Sequence, residues 1–94
     1  MQSPQKGGLV GMANTVLVIA FDSTQQALRA EMLLEYAEID IDIRPTPKEI
    51  TAGCALSIEF PGDALIQVKE ILLNENVVVK GIYKPVKGGY EELH

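Results

Sequence analysis

Apolar and polar positions follow two periods along this chain, and their order predicts a small mixed domain. From Thr15 to Phe21 the run TVLVIAF is apolar throughout and β-branched, as a central strand buried on both faces would be. In Ser23-Thr24-Gln25-Gln26, Ser23 is placed to cap a helix and Gln26, three residues on, to return the bond. Ala27, Ala30, Leu33, Leu34 and Ala37 then recur at helical spacing, predicting an amphipathic helix over 24–37 whose alanines suit close packing on a sheet. Ile39-Asp40-Ile41-Asp42-Ile43 alternates as a half-buried edge strand does, and Pro45 and Pro47 stop it. A further strand begins near Cys54 as CALSIEF. Pro61-Gly62-Asp63 opens a second helix with Leu65, Val68, Ile71 and Leu72 on one face. Asn76 suits a left-handed helix end, and Val77 to Tyr83 form the last strand. Residues 1–14 and 85–94 read as a flexible lead and a fraying tail around a domain at 15–84.

The order is strand, helix, strand, strand, helix, strand. The halves echo one another, Ile19-Ala20-Phe21 and Glu31-Met32-Leu33-Leu34 matching Ile58-Glu59-Phe60 and Glu70-Ile71-Leu72-Leu73 at one constant offset. This repeat of a split β-α-β unit predicts an α+β fold. It is a ferredoxin-like βαββαβ sandwich, a four-stranded antiparallel sheet with two helices on one face. The first and third strands are central. A parallel sheet is disfavoured because Ile43 to Cys54 holds no helix long enough for a crossover. Both parities of the first strand are apolar, yet the helices cover one face. The other face is therefore expected to be an open apolar patch and the protein a homo-oligomer.

Composition narrows the function classes. A net charge of −5 argues against nucleic acid as a partner, since phosphate neutralisation needs a basic surface. Tyr83 and Tyr90, in acidic surroundings, do not make a base-stacking platform. No apolar run reaches the length of a membrane span, and the opening residues lack a signal layout. One cysteine cannot make an intrachain disulfide and suits a reducing, cytoplasmic compartment. No cofactor is expected, because Gly7-Gly8 and Gly88-Gly89 lack the strand-glycine-helix setting of a phosphate loop. No metal site is expected either: His94 is isolated, and Asp40 and Asp42 read as a solvated strand face.

The group able to do covalent chemistry is Cys54, which follows a turn-rich stretch from Arg44 to Gly53. A thiolate forms where cations, N–H groups or helix ends favour negative charge. Arg44 and Lys48 lie in the loop leading to the thiol, Thr46 and Thr51 could donate hydrogen bonds to sulfur, and Gly53 leaves room for a substrate or partner. Pro45 and Pro47 stiffen the loop. Such a cysteine could accept a persulfide and hold the transferred atom. The alternative is structural: cysteine is often a small core hydrophobe, and counting by twos places Cys54 with Leu56, Ile58 and Phe60, toward the helix-covered core. On that reading the protein is a binding or regulatory module that dimerises through its open sheet face, and the Arg44 to Gly53 loop holds a small anion or a partner.

The patterns IAFDSTQQALRAEMLL and IRPTPKEITAGCALSIEF, followed by a shorter helix and VVVKGIY, resemble the selenium/sulfur carrier-like family of small bacterial domains over about residues 15–84. The most specific part is Pro45-Thr46-Pro47-Lys48-Glu49-Ile50 followed by Cys54. The resemblance implies a short ferredoxin-like fold in which Cys54 carries sulfur or selenium between donor and acceptor proteins, a relay more than an independent enzyme. Two positions depart from the family pattern. Thr51-Ala52-Gly53-Cys54-Ala55 stands where small hydroxyl residues and Cys-Gly are usual, and Glu38 stands where a glycine commonly ends the first helix.

Overall fold

Val16–Ala20 is the strand that the uninterrupted apolar run predicts, and every later element is placed by what it covers. The computed structural model describes residues 15–93. Their elements in chain order are β1 (Val16–Ala20), α1 (Thr24–Tyr36), β2 (Asp42–Pro45), β3 (Leu56–Pro61), a 3-10 turn (Gly62–Ala64), α2 (Leu65–Asn74), β4 (Gly81–Val86) and β5 (Gly89–Glu92). They make an α+β domain with one antiparallel sheet in the order β2-β3-β1-β4-β5. β1 and β3 are inner strands, as expected, and β3 separates β2 from β1. The residues expected as a flexible lead, and His94, lie outside the described residues.

One sheet face carries the main core. Leu17, Ile19 and Phe21 meet Ala27, Ala30 and Leu34 of α1 and Val68 and Leu72 of α2, with Ile58 and Phe60 of β3 beside them. The alanines of α1 are buried there, so the helix can lie close to the strands. Both helices end the same way. Glu38 (φ 64) and Asn76 (φ 57) take the left-handed conformation. The next N–H, of Ile39 or Val77, then donates to the carbonyl of Leu34 or Leu72, and the left-handed residue itself donates to Glu35 or Leu73. This is the Schellman arrangement, and its apolar contact is made by Ile39 and Val77, both buried.

Four expectations are corrected. The sheet has five strands, because the segment expected to fray turns at Lys87-Gly88 (Gly88 φ 88) and returns as β5. A left-handed third residue is what a type II turn requires, and glycine supplies it freely. The last long strand begins at Gly81 rather than Val77, because Val77 serves the helix end and the Val78 N–H donates to Gln26 Oε1 at 3.1 Å. The same bond removes the expected capping box: Ser23 is the N-cap without a side-chain bond, and Gln26 reaches across to the β4 side instead. The alternating stretch pairs later than expected, from Asp42 to Pro45, since Ile39 is held by the end of α1. Pro45 ends this strand yet still faces Leu56, a position an edge strand tolerates.

The face away from the helices is not the open apolar patch expected. Val18 is 2% and Ala20 0% exposed, covered by Ile50 and Ala52 of the loop and by Tyr83 and Tyr90 of the added hairpin. Ser57, also fully buried, turns its hydroxyl to the Arg44 and Pro45 carbonyls at 3.2 and 3.4 Å. Large exposed apolar side chains lie on the helices, at Leu28, Met32 and Tyr36 of α1 and Ile66 and Leu73 of α2, and singly elsewhere, at Val16, Ile43, Val78 and Val86. No helix among the described residues is long and apolar enough to cross a membrane.

Candidate functional site

Cys54 is set where two loops cross, one leaving β1 and one entering β3. Its N–H donates to the Phe21 carbonyl at 3.0 Å, which ties the loop before β3 to the end of β1. The neighbouring Gly53 N–H donates to Asp22 Oδ1 at 2.8 Å. On the far side the Thr46 hydroxyl donates to the Cys54 carbonyl (3.0 Å) and the Thr46 N–H to the Ala55 carbonyl (2.8 Å). The backbone of Cys54 is thus held from both flanks, which fixes the direction of its side chain.

That direction follows the parity of β3, into the helix-covered core. The residue is 4% exposed and packs in the cluster of Leu17, Ile19 and Phe21. The sulfur nevertheless has polar company. The Leu56 N–H donates to Sγ at 3.3 Å, and Thr24 Oγ1 lies 3.4 Å from Sγ in a bond that either atom could donate. Thr24 is the first residue of α1 and is exposed, as are Gly53 and Ala55 on the loop. The thiol is therefore buried by a thin polar rim, beside a helix N-terminus whose N–H groups carry partial positive charge.

The loop residues singled out from the sequence divide sharply. Thr46 serves the site by holding the Cys54 backbone and does not donate to the sulfur. Thr51 is exposed and makes no hydrogen bond among the described residues. Pro47 contributes its carbonyl, which takes the Ile50 N–H at 3.0 Å and closes the turn that seats Ile50 over the sheet. Gly53 is needed for a close approach, but the approaching group is the Asp22 backbone: an added Cβ would stand 2.8 Å from the Asp22 carbonyl oxygen. Neither Arg44 nor Lys48 contacts the sulfur. Arg44 shares the Ser57 row on the helix-free face and pairs with Glu59 at 3.6 Å, whereas Sγ points to the other face. Lys48 is exposed on the turn and has no ion pair among the described residues.

The residues the sequence reading missed come from the other loop: Asp22 and Thr24 on the way into α1, with the Leu56 N–H. Their signal was the polar trio Asp22-Ser23-Thr24 directly after a fully buried strand. No carboxylate or imidazole contacts Sγ among the described residues, and no cluster there has the ligands to hold a metal ion.

Residues 16–84, nearly all of the described domain, match the family described as "Putative Se/S carrier protein-like". The chain belongs to that family. The matched span runs from β1 into β4 and contains both loops around Cys54, so the match includes the whole site and stops before β5. No curated protein and no solved structure matches it.

Proposed function

We propose that the domain relays sulfur or selenium on Cys54. What carries this reading is the pair of contacts at Sγ, the Leu56 N–H and the Thr24 hydroxyl, at the N-terminus of α1. An anionic sulfur is favoured by N–H and O–H donors and by a helix N-terminus. In the loading step the Cys54 thiolate attacks the outer sulfur of a cysteine persulfide on a donor protein. A new Sγ–S bond forms, the donor's S–S bond breaks, and its electron pair leaves on the donor thiolate. Cys54 then holds a persulfide, or a selenosulfide when the outer atom is selenium, and an acceptor nucleophile removes that atom in turn. The transfers need no outside oxidant. With no general base beside the thiol among the described residues, the chain works as a carrier between cytoplasmic partners rather than as an enzyme. The ferredoxin-like order serves this by gathering both loops at one end of the inner strands. Burial of Sγ shields the loaded atom from solvent thiols, and delivery requires the rim of Gly53 and Thr24 to part.

The same burial favours a second reading, in which Cys54 is core and the domain is a binding module. Since Val18 and Ala20 are covered, self-association then uses the exposed apolar stripe Leu28, Met32 and Tyr36.

Alkylation of the folded protein, followed by intact mass with and without an inorganic polysulfide donor, separates the two. A carrier gains one sulfur on Cys54, a Cys54→Ser variant gains none, and Thr24→Val loads more slowly while remaining folded. A thiol that reacts only in denaturant sinks the carrier reading.

A further inference from the structure

A second feature lies across β1 from the thiol. A cavity of 450 Å³ opens between α2 and the segment 77–82, lined by Lys69, Leu72, Leu73 and the residues from Val77 to Ile82. Its size is that of a ligand or peptide groove. No residue of β1 lines it, so it opens on the flank of this segment that faces away from β1. On that flank β5 pairs with β4, and the described pairing ends where the Leu93 N–H donates to the Ile82 carbonyl at 2.7 Å. Residues 77–80 lie outside β4, with a bend at Lys80, and no strand pairs with them among the described residues. The Val79 N–H has no hydrogen bond among the described residues, while the flanking N–H groups of Val78 and Lys80 are taken by Gln26 and Ala20.

Charge selects the occupant. Lys69 and Lys80 both border the groove, and neither has an ion pair among the described residues, in a chain whose net charge is −5. We propose that this groove binds an extended peptide of a partner protein, with alternating apolar and acidic side chains, alongside residues 77–80. Its backbone satisfies the Val79 N–H, its apolar side chains enter between Leu72 and Val79, and its carboxylates meet Lys69 and Lys80. The main-chain bond to Val79 contributes affinity, and the side-chain pockets supply selectivity. The groove is also near the thiol. The Phe21 carbonyl takes the Cys54 N–H on one side of β1, and the preceding Ala20 carbonyl takes the Lys80 N–H at 2.8 Å on the other. A partner held there stands at the Cys54 end of the sheet. That this docking serves sulfur transfer rests on the proposed function; the binding itself does not.

The test uses the full chain and an acetylated peptide alternating glutamate and valine. Control peptides carry lysine for glutamate, or N-methyl groups on alternate backbone amides. Amide chemical shifts and hydrogen exchange are followed at Val79. The glutamyl peptide is expected to bind and slow exchange of the Val79 amide, Lys80→Glu to weaken binding about tenfold or more, and Cys54→Ser to leave the affinity unchanged. Loading of Cys54 from inorganic polysulfide should be the same in Lys80→Glu as in the native chain, so the failure of either proposal is seen without the other. Equal binding of the lysine or N-methylated peptide overturns the inference, as does an unprotected Val79 amide at millimolar peptide. Octanoate shifting the same residues where the peptide does not would overturn it too, assigning the groove to small acids.

Discussion

Gly53 touches the Asp22 backbone where the two site loops cross, and this contact constrains the thiol more than any charge does. A Cβ at 2.8 Å from a carbonyl oxygen cannot be relieved by a side-chain rotation, because the neighbour is backbone. Gly53→Ala should therefore cost about 1–3 kcal/mol of stability, read as a lower urea midpoint with unchanged slope. It should also raise the rate of native-state alkylation, because the rim over Sγ loosens with the loop. An unchanged midpoint would mean that the loops part without cost. Cys54 and Gly53 do lie where the two loops cross, whereas Arg44 and Lys48, assigned to the thiol by nearness along the chain, make no contact with the sulfur. Strand parity sends Arg44 to the opposite face. Thr24, thirty positions before Cys54, reaches the sulfur because pairing of β1 with β3 brings their ends together.

At the level of elements, both helices stop in the same Schellman arrangement, one with Asn76 and one with Glu38 at the left-handed position. Asparagine accepts that conformation readily. Glutamate does not, and left-handed backbone costs an ordinary residue about 1–2 kcal/mol. Glycine removes this strain but loses roughly 0.5–1 kcal/mol more backbone entropy on folding. Glu38→Gly should therefore raise stability by about 0.5–1 kcal/mol, measured by urea unfolding; a loss would show that the Glu38 side chain earns its place otherwise. The helices themselves were legible from apolar spacing. The strand at Gly89–Glu92 was not, because four residues with a single aromatic carry almost no period, and its turn residues read equally well as a loose tail.

For the molecule as a whole, that short strand changes the surface. Tyr90 with Tyr83, Ile50 and Ala52 covers Val18 and Ala20, so the inner strand is buried on both faces from Leu17 to Ala20 within one chain. Tyr90→Ala should cost about 1–2 kcal/mol from the apolar area it returns to water. Sedimentation should then show self-association that the native chain does not make through this face. If the variant sediments as the native chain does, the covered face is not a latent interface. Exposed ion pairs such as Arg29–Glu75 and Arg44–Glu59 contribute little beside this burial.

Apolar periodicity by itself determined that β1 and β3 would be inner strands, that two amphipathic helices would pack on one face, and that Cys54 would point toward them. Those properties are local, set by which side of a strand or helix each residue occupies. The partners of the thiol, the cover over the second sheet face and the groove beside Val79 were decided only by tertiary structure. Each depends on segments far apart in the chain meeting at one strand end, and no period along the sequence encodes that meeting.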